Sequence, residues 1–288
     1  QFSVADSYSM NNYGTSSSWS NYNFVEEGLR LGTVLGRKLQ VRGEESSLKY
    51  TRKDSGKIDK RLLSELGFGN TNVFSQTFVE KFNKAYLHIS VDASGSMHGD
   101  KWNKAMTSAV AMIKACDMAG NIDVVVSIRT THSPGDGYRR NAQGDVPLIM
   151  VVYDSRKDKL TKVRNLFTAL DVSGTTPEGL CFEAIEKDLI PGNNNQDSYF
   201  INYSDGCPYY GNSEIDYSGV VAERHTNRMV SNMRAKGISV LSYFIGGRYD
   251  DNSEDSSFKR MYGNDASFIN ATNMMEVAKT MNRKFLEK

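Results

Sequence analysis

From about residue 85 onward, short β-branched runs alternate with helix-patterned segments for some 200 residues. Leu87, Ile89 and Val91 alternate with His88 and Ser90, the spacing of a strand. Trp102, Ala105, Met106, Ala109, Val110, Ile113 and Cys116 then recur at helical spacing until Gly120. Strands are expected at Ile122–Ile128, Leu148–Tyr153, Tyr199–Tyr203, Ile238–Ile245 and 267–269. Helices are expected at Leu160–Leu170, Leu180–Leu189, Val220–Lys236, about 254–262 and about 272–286. Such alternation requires an α/β fold: a doubly wound, mainly parallel sheet with helices on both faces. Leu148–Tyr153 is the candidate for an antiparallel pairing. A polar, Gly-containing loop at 131–147 separates it from the strand before.

The residues ahead of this domain divide in two. Residues 1–23 are rich in Ser, Asn and Tyr, nearly uncharged and without sustained period, and read as a flexible arm. Residues 24–84 read as a helical extension. Phe24 to Leu39 carries an apolar stripe, and Gly28, Gly32 and Gly36, four apart, imply close packing against another element. Residues 41–58 read as an exposed charged connection, Asp59 to Leu66 as a short helix and Val73 to Phe78 as a strand. The α/β domain is then 85–288.

Composition excludes several classes. At 39% hydrophobic and 24% charged the chain can build a real core. A net charge of +1 argues against nucleic acid as the main partner. No apolar run approaches the roughly 20 residues of a membrane helix. Cys116, Cys181 and Cys207 are scattered, with no CxxC pair, which fits a reducing, cytoplasmic setting better than a disulfide framework. Neither GxxxxGK[ST] nor GxSxG occurs, so neither P-loop ATP binding nor a nucleophile elbow is expected.

In open sheets of this class ligands bind beyond the carboxyl ends of the strands. Three oxygen-rich turns fall there: Asp92-Ala93-Ser94-Gly95-Ser96, Ser173-Gly174-Thr175-Thr176-Pro177 and Ser204-Asp205-Gly206. Hydroxyls and carboxylates are hard ligands that suit Mg2+ better than zinc or copper. Turn and cap chemistry accounts for any one of these segments, but not for three at strand ends.

The set, in this order, resembles the metal-ion-dependent adhesion site of von Willebrand factor A domains. The resemblance implies a divalent cation, Mg2+, held by Ser94, Ser96 and Thr176, with Asp92 and Asp205 acting directly or through water. Thr175 remains an alternative to Thr176. A partner's acidic side chain would complete the coordination.

A further resemblance covers 58–76 (IDKRLLSELGFGNTNVFSQ), 92–102 (DASGSMHGDKW), 204–230 (SDGCPYYGNSEIDYSGVVAERHTNRMV) and 238–247 (ISVLSYFIGG). These segments are similar to the C-terminal region of the CobT family of aerobic cobaltochelatase subunits. That resemblance implies a subunit non-catalytic by itself, working with an AAA+ ATPase and a large chelatase subunit to insert Co2+ into a corrin-type tetrapyrrole. The acidic low-complexity region of that family is absent. Two other roles stay open: an adaptor of an AAA+ (MoxR-like) remodelling system with a protein substrate, and an adhesion-type ligand-binding module.

Among the histidines, His98 beside the first turn reads as an exposed loop residue and His88 as a packed strand residue. His225 reads as a helix residue in the run Glu223-Arg224-His225.

Overall fold

The computed structural model describes residues 4–5, 23–40, 46–80, 83–132, 146–192, 196–206, 208–211, 215–246, 252–263 and 266–270. In chain order the elements are β1 (Val4–Ala5), α1 (Phe24–Leu39), β2 (Ser46–Lys53), β3 (Lys57–Ile58), β4 (Phe74–Glu80), β5 (Lys84–Asp92), α2 (Asp100–Ala119), β6 (Ile122–His132) and β7 (Val146–Asp154). They continue as α3 (Leu160–Val163), α4 (Glu178–Asp188), β8 (Gln196–Ser204), β9 (Tyr210–Gly211), β10 (Asp216–Tyr217), α5 (Gly219–Ala235), β11 (Ile238–Gly246), α6 (Asn252–Tyr262) and β12 (Ala266–Asn270). The helix expected over 272–286 and most of the arm expected over 1–23 lie outside the described residues.

Seven strands form one sheet in the order β1-β7-β6-β5-β8-β11-β12. Strand β5 runs parallel to both β6 and β8, and β11 parallel to β8 and β12. The β6–β7 pair is antiparallel, the arrangement expected for Leu148–Tyr153. Central strand β5 is covered on both faces. Leu87, Ile89 and Val91 join the cluster under α1 and α2, while Tyr86 joins the cluster under α4, α5 and α6. This is the α/β doubly wound architecture with a mainly parallel sheet. The chain leaves β5 toward β6 on one side and reaches β8 on the other, so the crevice at their carboxyl ends is a topological switch point.

The helix expected at 24–39 forms, and its three glycines face α2. A Cβ on Gly28 would stand 2.7 Å from Val110 Cβ, on Gly32 2.5 Å from the Ala111 carbonyl oxygen, and on Gly36 2.7 Å from Met118 Sδ. The two helix axes approach too closely for any side chain at these positions. Phe24, Val25, Leu35 and Leu39 enter the same core as β5 and α2. This helix is therefore part of the α/β core rather than a separate extension.

The rest of 24–84 also departs from a helical extension. β2, β4 and β3 form an antiparallel three-stranded sheet in the order β2-β4-β3. The charges of 46–53 do not oppose this, because Lys49 and Tyr50 face solvent while the backbone ladder to β4 supplies the bonding. The helix expected at Asp59–Leu66 is a 3₁₀ segment over Leu63–Phe68, stopped by Gly69 at φ 82°. Arg52, at φ 58° beside the irregularity in β2, holds Glu65 of that segment through two 2.8 Å hydrogen bonds. The helix expected over Leu160–Leu170 is one α-turn followed by 3₁₀ over Arg164–Ala169.

Candidate metal centre

Three turns are stitched together by backbone hydrogen bonds before any side chain is considered. Ser173 N donates to Ala93 O at 2.8 Å, Gly95 N to Gly174 O at 3.1 Å and Tyr209 N to Thr176 O at 2.9 Å. Gly174, at φ 70°, lies where a Cβ would run into the Thr131 carbonyl oxygen and hydroxyl. Only glycine lets the second turn press this closely on β6. The Thr130 hydroxyl donates to the Ser173 carbonyl from the same strand.

This framework brings the side chains of Asp92, Ser94, Ser96, Thr176 and Asp205 together. The Asp92 carboxylate accepts from Ser94 N at 2.9 Å, from the Thr176 hydroxyl at 3.1 Å and from the Ser204 hydroxyl at 3.3 Å. Ser94 Oγ and Ser96 Oγ are 3.0 Å apart, and Ser96 Oγ donates to Asp205 Oδ1 at 3.1 Å. Thr176 and Thr175 separate in space: Thr176 faces Asp92, whereas Thr175 Oγ1 lies 3.3 Å from Thr131 Oγ1. Asp92, Ser94, Thr176 and Asp205 are buried, and Ser96 is exposed at the mouth.

The donor set fits a small divalent cation. Oxygen ligands about 2.1 Å from an octahedral ion stand about 3 Å apart along each edge. The separations within the Ser94–Ser96–Asp205 row and between Thr176 and Asp92, at 3.0 to 3.1 Å, match that edge. Among the described residues no three His, Cys, Asp or Glu side chains converge as a metal-holding group. A cation here would rest on neutral hydroxyls and two carboxylates.

Three charged residues that complete the site were not singled out from sequence. Arg129, wholly buried at the end of β6, places NH2 2.6 Å from Glu178 Oε1 and 4.0 Å from Asp92 Oδ2. Its NH1 donates to Ser90 Oγ at 3.0 Å. Glu178 also accepts from Asn202 Nδ2 at 3.0 Å, and Asn202 donates to the Tyr262 hydroxyl at 2.8 Å. Lys101, on the first turn of α2, donates from Nζ to Asp205 Oδ2 at 3.2 Å. An Arg inside a strand-like run rich in β-branched residues, Ile122–Thr131, was the available signal for the first of these.

Burial pushes the Asp92 carboxyl above the ordinary carboxylate range; Arg129 pulls it back and Glu178 adds to the rise. Burial and then the charge of Asp92 push Asp205 the same way, opposed by Lys101 and Ser96. Two carboxylates strained by burial and mutual repulsion call for positive charge between them.

The histidines fall elsewhere. His88 is buried, with Nε2 2.8 Å from Ser127 Oγ, and burial lowers its pKa to about 3. His98 is exposed beside the site. His225 Nδ1 lies 3.1 Å from the Tyr217 hydroxyl, and neighbouring Glu223 accepts from Ser257 and Arg260 of α6 at 2.7 Å each. Glu223 of that run thus pins α5 to α6, while His225 faces Tyr217 of β10.

No protein-family model and no curated protein matches this chain. Among solved structures, the pilus adhesin SpaC from Lactobacillus rhamnosus GG is similar at a TM-score of 0.50 and 12% identity, over 73% of this chain and 31% of the adhesin. This chain thus spans about a third of that adhesin's length. Proximal thread matrix protein 1 from the mussel byssus, solved with a zinc-occupied MIDAS motif, is similar at 0.43 and 11% identity over 83% of this chain and 48% of that protein. A von Willebrand factor type A protein from Catenulispora acidiphila is similar at 0.41 and 13% identity over 84% and 50%. The likeness to the adhesin bears on the fold alone, the α/β architecture with a mostly parallel sheet flanked by helices. No helix among the described residues is long and apolar enough to cross a membrane.

Proposed function

We propose that the chain is a divalent-cation-dependent protein-binding module, with Mg2+ held by Ser94, Ser96, Thr176, Asp92 and Asp205. The observation that carries this reading is the meeting of three hydroxyls and two carboxylates from three separate turns at one switch point. The five groups fill at most five positions of an octahedral ion, so a carboxylate from a partner can complete the coordination. The module is non-catalytic by itself. Ser94 faces Ser96 and the Asp92 turn, and its described hydrogen bonds include no histidine base.

The finer reading is a cytoplasmic, CobT-like cobaltochelatase subunit that grips an acidic residue of an AAA+ ATPase. What supports it is the sequence likeness over 58–76 and 204–230, and the burial of Cys116 and Cys181 with neither in a disulfide. The adhesion-type module is the alternative, and the adaptor of an AAA+ remodelling system with a protein substrate is the third.

Calorimetric titration with Mg2+ and Mn2+ tests the metal step. One ion should bind the wild-type chain, and Asp92→Asn or Ser94→Ala should remove binding while leaving the circular dichroism spectrum unchanged. Retained binding in both variants would overturn the site. Affinity purification with Mg2+ against a chelator then separates the partners. An ATPase lost with chelator and with Asp92→Asn supports the coupled readings; a cell-surface receptor supports adhesion. Chelation of Co2+ that proceeds without this chain removes the cobaltochelatase role.

A further inference from the structure

We infer that Lys101 is a tethered cation that competes with the divalent ion for Asp205 and so sets the metal affinity of the site. The inference rests on the metal-binding reading above and extends it to regulation.

Among the described residues, five charged side chains meet at the crevice. Asp92, Asp205 and Glu178 bring three negative charges, and Arg129 and Lys101 bring two positive ones. The two cations differ in burial and in the stiffness of their side chains. Arg129 is wholly buried and held by Ser90 Oγ, Glu178 Oε1 and the Tyr203 carbonyl. Lys101 sits at the start of α2 on a flexible four-carbon stem, 19% exposed, with Nζ 3.2 Å from Asp205 Oδ2.

Asp205 therefore has two kinds of cation within reach. Its Oδ1 faces Ser96 in the ligand row, and its Oδ2 faces Lys101. Arg129 and Glu178 cancel, leaving Asp92 and Asp205 against Lys101. Without metal, the ammonium offsets part of the repulsion between the two carboxylates. A divalent ion brought beside the same carboxylate meets the ammonium as a like charge a few ångströms away. Binding must turn Lys101 outward or tolerate that repulsion, and either route weakens the ion's hold. An outward Lys101 adds positive charge at the rim, where an acidic partner would approach. The site would thus be latched when metal is scarce and more attractive to anions when metal is bound.

The test is calorimetric titration of the full chain with Mn2+ and Mg2+, comparing wild type with Lys101→Met and Lys101→Arg. Lys101→Met should bind both ions about ten-fold tighter or better, the size expected from removing a nearby like charge. Lys101→Arg, which keeps the charge, should stay near wild type. A supporting salt bridge predicts the opposite sign, so the direction alone discriminates. Lys101→Met affinity equal to or weaker than wild type overturns the inference while the metal site stands. If neither wild type nor Lys101→Met binds either ion, the metal reading falls and this inference falls with it.

Discussion

Arg129 and Glu178 form a wholly buried ion pair, 2.6 Å apart, directly beneath the Asp92 carboxylate. The two residues come from the end of one strand and the start of a helix, 49 positions apart in sequence. Burial opposes the Arg129 charge, and Glu178 and Asp92 sustain it. Replacing Arg129 by Met leaves Glu178 and Asp92 as uncompensated buried charges, so Arg129→Met should lose about 3–5 kcal/mol in urea unfolding. The double variant Arg129→Met/Glu178→Gln should recover part of that loss. A single-variant cost under about 1 kcal/mol would show that the pair is not needed under Asp92.

The helix crossing of α1 on α2 sets two effects against each other. Alanine in place of glycine favours an isolated helix by about 1 kcal/mol. At Gly32 the new Cβ would stand 2.5 Å from the Ala111 carbonyl oxygen and 2.6 Å from Lys114 Cβ, and the first of these atoms is backbone. Overpacking of this kind costs about 1–3 kcal/mol. Gly32→Ala should therefore lower the melting temperature, and Gly32→Val should lower it further. A stabilised Gly32→Ala would mean that the helices part readily at this point.

These two relationships mark how far the sequence could be read. Alternation of period-2 and helical segments led to the sheet, and Asp92, Thr176 and Asp205 lay at strand ends where that sheet brings them together. The glycine spacing in α1 signalled a close neighbour, but nothing local named α2 as that neighbour. Arg129 escaped because its counter-charge, Glu178, belongs to a segment that reads as a turn. Lys101 looked like an ordinary first-turn helix residue until Asp205 came within 3.2 Å. The β2–β4 sheet escaped for a different reason. Interleaved charges resemble a loop when the residues they pair with are about 21 to 34 positions away.

His88 gives a pH dependence with a definite sign. Its folded pKa, lowered to about 3 by burial and then by Arg156, lies below the 6.5 of the unfolded chain. A proton then binds the unfolded chain first, so the neutral imidazole costs nothing above about pH 6.5 and destabilises the fold as pH falls toward 3. The slope contributed is at most about 1.4 kcal/mol per pH unit. His88→Gln should flatten the acid limb of stability against pH relative to wild type. Identical acid limbs would show that His88 takes up a proton in the folded chain.

Thr175 and Thr176 are adjacent, and the fold separates them. Thr176 Oγ1 donates to Asp92 Oδ2 at 3.1 Å, within the cluster of side-chain oxygens, whereas Thr175 Oγ1 lies 3.3 Å from Thr131 Oγ1 on the β6 side. Valine preserves the shape of either residue and removes only the hydroxyl. Thr176→Val should weaken Mg2+ or Mn2+ binding about ten-fold or more, the scale of one lost polar contact to a charged group. Thr175→Val should leave metal affinity within about two-fold and lower thermal stability slightly, because the contact to Thr131 braces the turn rather than the ion. Titration of both variants against wild type decides the assignment. Loss of metal binding in Thr175→Val with retention in Thr176→Val would place the hydroxyl ligand one residue earlier and require the turn to rotate when the ion enters.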